Sequence, residues 1–225
     1  MFLFTIWINK SNKKSNIDIP EVKNFYERKK RIYPKNFEFK LYFFEDLYKL
    51  LKEYDNELAF YFNKINLNYA ALLSDIGRIF ILYKFGGIYQ DLRIMFKNNK
   101  TIFLIKKYLE NGISLILEEN GQSIRIGNLA SKKNCKILKK YLNNIKEKLK
   151  NYYDKKMIEN NCYIYGSGTL IKLFKKLSKN DNDFYEYEDE KIKKINWNVR
   201  LESKLNRIYN NNGHWSKLKI PIFNY

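Results

Sequence analysis

The chain has 225 residues, 45% hydrophobic and 30% charged, which is enough for one α/β domain with a sizeable core. It contains no run of about 18 apolar residues, which excludes a predicted transmembrane helix. The apolar start lacks a basic region before it, so we expect a first core strand rather than a signal peptide. Cys135 and Cys162 have no metal-ligand spacing and are expected to be reduced thiols in a cytosolic protein.

The formal net charge of +19 is large for this length and leaves three explanations open. It could reflect nucleic-acid binding, attraction to an anionic membrane surface, or a lysine-rich compositional bias. Lysines are spread along nearly every predicted helix instead of being concentrated in one arm, which disfavours nucleic acid. We therefore expect no nucleic-acid partner and keep a peripheral contact with an anionic membrane as an option.

The first part of the chain alternates strand and helix patterns. The apolar, aromatic run from Phe2 to Ile8 predicts a buried strand, and residues 21–31 predict a basic helix. After the turn at Pro34, residues 37–44 predict a second strand. Two helices, at about 45–54 and 56–64, then lead into the central stretch.

Residues 70–93 are the most informative stretch of the chain. Ser74, Asp75 and Arg78 fall on one side of a predicted helix, opposite an apolar side. The helix is expected to end at Gly86-Gly87, because glycine tolerates the left-handed conformation that leaves a helix. A short strand should follow and end at Asp91-Leu92-Arg93, with Asp91 and Arg93 on one side and Leu92 in the core. This places a polar helix face beside a charged strand end, where α/β sheets bind nucleotides.

Beyond the central stretch, residues 94–96 are expected to continue the strand. Residues 113–118 and 123–130 predict two more strands around an Asn-Gly turn, and residues 134–153 predict a long amphipathic helix. No internal repeat or linker is evident, so the whole chain, 1–225, is expected to form a single domain.

Two later segments combine turn residues with candidate ligand-binding groups. Gly166 and Gly168 flank Ser167 before a predicted helix, where glycine allows a close approach of the backbone to a ligand, although a plain turn and cap remain an alternative. An Asn-Gly loop then precedes His214, the only histidine of the chain, and Trp215.

The order Ser-Asp, Arg, Tyr, Gly-Gly-Ile-Tyr and Asp-x-Arg between residues 74 and 93 resembles the sugar-binding region of the DXD glycosyltransferases. The similar group is glycosyltransferase family 32, with capsule-type enzymes, yeast initiating mannosyltransferases and clostridial glucosylating toxins as relatives. The resemblance implies an α/β fold of the GT-A type, which is Rossmann-like, with a mixed, mostly parallel central sheet that holds a nucleotide-sugar. The chain departs from the family at Arg93, where the family has a second Asp that is its principal metal ligand.

The resemblance also implies roles for individual residues. Asp75 and Arg78 would hold sugar hydroxyls or the ribose and phosphate region, and Asp91 would touch the ribose or sugar as well as any metal. With Arg93, these are the candidate catalytic residues. Trp7 either stacks on the base or is a core residue. The candidate nucleotide-sugar-binding residues are Trp7, Ser74, Asp75, Arg78, Gly87, Tyr89, Asp91, Asn128, Gly166, Ser167, His214 and Trp215.

Three hypotheses describe how such a site would treat the donor diphosphate. Asp91 and His214 could hold Mn²⁺ or Mg²⁺, since magnesium-like ions bind through one or two carboxylates plus substrate phosphates. Arg93 could instead contact a phosphate directly, because a guanidinium binds phosphate in a bidentate manner. Alternatively, Arg93 marks an inactive site that still binds nucleotide.

The sequence thus predicts a retaining glycosyltransferase that moves a hexose from a UDP- or GDP-sugar to a glycan or lipid-linked acceptor. Bacterial capsule or lipopolysaccharide assembly is the expected setting, in the cytoplasm or at the inner face of the cytoplasmic membrane. An effector that glycosylates a host protein and a non-catalytic nucleotide-sugar-binding protein remain as alternatives.

Overall fold

The fold is described by a computed structural model that covers residues 2–9, 19–120, 123–156, 184–187, 189–201 and 220–224. Its helices are α1 (Pro20–Ile32), α2 (Phe44–Tyr54), α3 (Asn56–Lys64), α4 (Ala70–Phe85), α5 (Lys100–Glu110) and α6 (Lys136–Asp154), with a short 3₁₀ turn at Leu67–Tyr69. Its strands are β1 (Phe2–Ile6), β2 (Glu38–Tyr42), β3 (Gly87–Gln90), β4 (Ile94–Phe96), β5 (Leu115–Asn120), β6 (Ser123–Ser131), β7 (Phe184–Tyr187), β8 (Glu190–Ile195) and β9 (Val199–Leu201).

Seven of these strands form one mixed sheet in the order β2-β1-β3-β6-β5-β8-β7. The pairings of β1 with β2, β1 with β3 and β5 with β8 are parallel, whereas β6 is antiparallel to both neighbours and β7 is antiparallel to β8. Five of the seven strands therefore run in one direction. The predicted α/β class with a mixed central sheet is confirmed.

Helices cover both faces of this sheet, so the strands alternate between two apolar layers. Phe4 and Tyr89 lie on one face, in a core that is completed by α2, α3, α4 and α6. Leu3 and Ile88 lie on the other face, with buried residues of α5. Among the described residues, no helix combines the length and apolar character needed to span a bilayer.

The connection from α4 to β3 depends on two adjacent glycines with positive φ angles. Gly86 ends α4 with φ +70°, and Gly87 begins β3 with φ +102°. A Cβ atom added at Gly87 would lie 2.5 Å from the carbonyl oxygen of Phe2, on the neighbouring strand. Only glycine allows both the backbone conformation and this close approach of β3 to β1.

One element of the predicted fold is wrong. Residues Ile94–Phe96 do not continue β3, because a turn follows Gln90 and the chain then pairs with β9 in a separate two-stranded sheet. The turn is closed by a hydrogen bond from the Ile94 amide to the Asp91 carbonyl oxygen, at 3.0 Å. An apolar run after a strand does not reveal such a turn, since both strands need the same residue types.

The Gly87→Ala substitution should lower the free energy of unfolding by about 3 kcal/mol, because it combines a strained φ with a clash against β1. Gly112→Ala is the matched control, since Gly112 has φ +87° but no atom within 4 Å of an added Cβ. The control should cost only about 1 kcal/mol. Urea unfolding of both variants measures the difference, and equal losses would contradict the role assigned to the close contact.

Candidate active site

The centre of the site is an ion pair between two residues one turn apart on α4. Arg78 and Asp75 are both buried, and Nη2 of Arg78 lies 2.8 Å from Oδ1 of Asp75. Strand β3 brings Tyr89 to the same face, where the Arg78 guanidinium lies 4.6 Å from the centre of the Tyr89 ring. Helix α4 and strand β3, which are joined at Gly86-Gly87, therefore also contact each other through the buried Arg78 guanidinium.

Arg78 also bonds groups on two further segments. Its Nη1 donates to the carbonyl oxygen of Ile126 at 2.7 Å, and its Nε and Nη2 donate to the carbonyl and hydroxyl oxygens of Ser74, each at 3.3 Å. The Ile126 carbonyl lies where β6 loses register with β5, between the pairs Leu117–Leu129 and Glu118–Arg125. Such a bulge redirects backbone groups out of the ladder.

Tyr89 links this cation to Asp91. The Tyr89 hydroxyl donates a short hydrogen bond to Oδ1 of Asp91 and lies 3.5 Å from the Ser74 hydroxyl. The same Asp91 oxygen is 3.8 Å from Nη2 of Arg78. Burial raises the pKa of Tyr89 well above its usual value, against the opposing effect of Arg78, so the phenol remains a hydrogen-bond donor. Burial tends to lower the pKa of Arg78, but Tyr89, Asp75 and Asp91 outweigh it and raise that pKa.

The backbone of Asp91 is held on both sides. Its amide donates to the Gly127 carbonyl oxygen at 2.8 Å. Its carbonyl oxygen accepts from the Ile94 amide and, at 2.8 Å, from Nζ of Lys29. Lys29 belongs to α1 and is fully buried, and this burial lowers its pKa while the Asp91 carboxylate opposes the shift. Of Asp75, Arg78 and Asp91, the last is the most accessible to solvent. Its side chain is 27% exposed, against 7% for Arg78 and 11% for Asp75.

Lys29 was missed by the sequence predictions, although a signal exists. Val22, Phe25 and Lys29 are the buried residues of α1, at positions i, i+3 and i+7. A lysine in the apolar stripe of an otherwise basic helix is unusual, because an ammonium group is rarely buried without a partner. The partner is a main-chain carbonyl 62 residues away, which the pattern of α1 alone cannot identify.

Arg93 lies in the turn after Asp91 rather than on a strand. A turn takes the place of the strand here, so the alternation that predicts a shared side for Asp91 and Arg93 is absent. The predicted burial of Leu92 is confirmed, since Leu92 packs with Trp7, Val22, Phe25 and Met95 in a separate apolar cluster. Arg93 itself is half-buried.

Three other predicted residues lie apart from the Arg78 cluster. Trp7 is only 8% exposed in the apolar cluster around Leu92, which leaves little of the ring for a base. Gly87 starts β3, whereas Asp91 follows its end. Asn128 pairs with Gln90 across β3 and β6, on the sheet face opposite to Tyr89, and its Nδ2 donates to Oε2 of Glu118 at 2.6 Å.

The remaining candidates lie outside the described residues. These are Gly166, Ser167, His214 and Trp215. Their roles in nucleotide-sugar binding, and that of His214 in holding a metal ion, therefore stay predictions.

The described side chains around Asp91 fit a divalent metal ion poorly. Oδ1 of Asp91 already accepts from Tyr89 and lies near Arg78, and Lys29 bonds the carbonyl oxygen of the same residue. Among the described residues, no group of three or more His, Cys, Asp or Glu side chains could hold a metal. One carboxylate oxygen of Asp91 is thus already engaged by Tyr89 and Arg78, which leaves the described residues few oxygens to offer an ion.

The Arg78→Leu substitution should destabilise the fold by about 3–5 kcal/mol, because it leaves the buried Asp75 carboxylate without its cation. Lys146→Leu is the control: Lys146 pairs with Asp55 at 2.9 Å, but both side chains are more than 20% exposed. The control should cost about 1 kcal/mol or less. Chemical denaturation measures both, and a loss at Arg78 no larger than at Lys146 would refute the central role of this residue.

Comparison with known proteins gives one family match and several similar structures. Residues 6–114 match the model of the glycosyltransferase sugar-binding region containing the DXD motif. Comparison with curated proteins gives no match. The structure titled "PaToxG Glycosyltransferase" superposes with a TM-score of 0.51 at 17% sequence identity, over 78% of this chain and 68% of that one.

Two structures of the glycosyltransferase domain from the YGT toxin also match, more weakly. The UDP-bound structure has a TM-score of 0.34 and 13% identity, over 63% of this chain and 41% of that one. The ligand-free structure has a TM-score of 0.33 and 12% identity, over 67% and 43% respectively. These two scores are too low to support an argument, so the fold comparison depends on the PaToxG structure.

The predicted GT-A fold is confirmed by that likeness. The matched region runs from Ile6, the last residue of β1, to just beyond the end of α5, and it contains Asp75, Arg78 and Asp91. The family match supports the predicted enzyme class, since residues 6–114, just under half of the chain, match a glycosyltransferase sugar-binding region.

Proposed function

We propose that this glycosyltransferase moves a hexose from a nucleotide-sugar to a glycan or lipid-linked acceptor, with retention of the anomeric configuration. The observation that carries the proposal is the joint placement of Asp75, Arg78 and Asp91 where β3 ends, within the matched sugar-binding region. Carboxylates fixed by a buried guanidinium accept hydrogen bonds from sugar hydroxyls in a defined geometry.

The differences in exposure suggest a division of labour within the site. Arg78 is too enclosed to be the main ligand contact, so its role is to hold the two carboxylates. Asp91 is the most exposed of the three and is the group presented to the donor. Because Asp75 is bound by Arg78 at 2.8 Å, it is better suited to accept hydrogen bonds than to attack the sugar. This favours a mechanism without an enzyme nucleophile, as in the retaining enzymes that the sequence resembles.

Nucleotide-sugar binding should raise the melting temperature of the protein, by an amount set by ligand concentration over Kd. A panel of UDP- and GDP-sugars, each with EDTA and with Mn²⁺, tests this. The Asp91→Asn variant should lose most of the shift, whereas Asp55→Asn, which alters the N-cap carboxylate before α3 that pairs with Lys146, should keep it.

For a donor that binds, NMR spectroscopy of the transferred sugar gives its anomeric configuration. An inverted product would contradict retention. The absence of a thermal shift with every donor would contradict the proposed function as a whole.

We also propose that the enzyme works at the inner face of an anionic membrane, through what we call the Phe103 surface. It consists of Ile32, Phe103 and Leu104, which are 41%, 46% and 40% exposed, and the exposed cations Arg31, Lys35, Lys100 and Lys107. Asn99 joins α1, which ends at Ile32, to α5, which carries Phe103. Its Nδ2 donates to the Ile32 carbonyl at 3.4 Å, and its carbonyl accepts from the Phe103 amide at 3.3 Å. Exposed apolar groups flanked by cations are typical of contacts with anionic lipid.

The Phe103→Ser variant should bind vesicles containing phosphatidylserine more weakly than the unchanged protein, because it loses an apolar group that would enter the lipid interface. Phe60→Ser is the matched control, since Phe60 is 44% exposed but lies on α3. Co-sedimentation with vesicles measures binding. Equal effects of the two variants, or equal binding to neutral vesicles, would contradict the membrane role of the Phe103 surface.

A further inference from the structure

The buried ammonium group of Lys29 needs an explanation beyond packing. An apolar side chain of similar length would fill the space between α1 and the 91–94 turn without the cost of removing a cation from water. What such a side chain would lose is the 2.8 Å hydrogen bond from Nζ to the Asp91 carbonyl oxygen. The function of Lys29 therefore concerns the position of that turn.

The turn is held by α1 at two points. Lys29 bonds the carbonyl of its first residue, Asp91, and Leu92 packs beside Val22 and Phe25 of the same helix. Strand β6 holds it from the other side through the Asp91 amide and Gly127. Arg93, the next residue of the turn, is half-buried and has its backbone position set by these contacts.

The turn carries a cationic side chain, Arg93, two residues after Asp91. The carboxylates of Asp75 and Asp91 pair with Arg78, at 2.8 and 3.8 Å, and Nζ of Lys29 bonds the backbone of the turn. A donor diphosphate carries two negative charges, and more develops as the nucleotide leaves. Cationic side chains fixed in advance can stabilise that charge as a metal ion would. A planar guanidinium is well suited to phosphate oxygens.

We propose that the donor diphosphate is bound without a divalent metal, by Arg93 on a turn whose position is set by Lys29. Lys29 is a positioning residue, since it acts through Asp91 and the turn rather than by touching the donor. This inference depends on the proposed function, because it concerns the diphosphate of the same nucleotide-sugar.

Isothermal titration calorimetry with UDP and with GDP, in EDTA and in Mn²⁺, tests the metal. Whichever nucleotide binds should do so with a Kd that changes less than about twofold between the two conditions. Binding that requires Mn²⁺ would overturn the inference while leaving the glycosyltransferase function intact. Failure of every nucleotide and nucleotide-sugar to bind in either condition would overturn the proposed function itself.

Two Arg93 variants test which group replaces the metal. Arg93→Ala should weaken nucleoside diphosphate binding in EDTA by about tenfold or more, with little effect on binding of the free nucleoside. Arg93→Asp should show the same loss in EDTA and regain affinity in Mn²⁺, and calorimetry of this variant with Mn²⁺ alone should detect an ion site absent from the unchanged protein. Unaltered diphosphate affinity in Arg93→Ala would overturn the assignment of Arg93.

The Lys29→Met variant tests the positioning role. It should reduce affinity for the nucleoside diphosphate about tenfold while affinity for the nucleoside stays unchanged, because only the phosphate end depends on the turn. Val22→Ala, on the same buried stripe of α1, controls for destabilisation and should not alter that ratio. Lys29→Gln keeps a donor and should recover part of the loss. Equal losses for nucleoside and nucleoside diphosphate in either Lys29 variant would overturn the role of Lys29.

Discussion

The site depends on one buried cation. Within α4, the Arg78 guanidinium binds Ser74 and Asp75. It also stacks on the Tyr89 ring of β3 and donates a hydrogen bond to the bulged backbone of β6. Each of these contacts would be expensive to leave unmade in the protein interior, so the three elements can pack in few ways other than the one observed. Asp91 receives its position from this arrangement, through Tyr89 on one side and the backbone of β6 on the other.

Ion pairs and hydrogen bonds to charged groups hold the side chains around Arg78 in place. Arg78 pairs with the carboxylates of Asp75 and Asp91, and Nζ of Lys29 bonds the backbone carbonyl of Asp91. These buried contacts are local and structural, unlike the lysines spread over the surface. The net charge of the chain therefore gives little information about the site, whereas the charged residues next to Asp91 define its geometry.

Most of the fold around α4 and β3 could be predicted from the sequence, because its signals are local. The helix from Ala70, the glycines at its end and the following strand come from periodicity and backbone freedom, and the polar face of α4 identified Asp75 and Arg78. The turn after Asp91 could not be predicted, since the apolar residues 94–96 suit either one long strand or two short ones. Lys29 could not be placed because its partner is a main-chain atom, which has no signature in the sequence.

Asn128 illustrates a different limit. The resemblance implies a nucleotide-sugar contact, but strand pairing with Gln90 sets the side of the sheet on which Asn128 lies. The three residues of β6 without a partner on β5, 126–128, decide which neighbouring groups face Arg78. Such a bulge depends on the register of two strands, which residue types alone do not specify. In the structure Asn128 is buried and donates to Glu118, on the face of the sheet opposite to Tyr89, and its role in ligand binding stays a prediction.

The connection between α4 and β3 has a consequence for how the enzyme can adapt to new substrates. Gly86 and Gly87 connect the helix directly to the strand, and a side chain at Gly87 would collide with β1. The insertion of a loop, a common route by which enzymes change specificity, is therefore not tolerated at this junction. A change of ligand specificity would therefore have to arise in segments other than the one that joins α4 to β3.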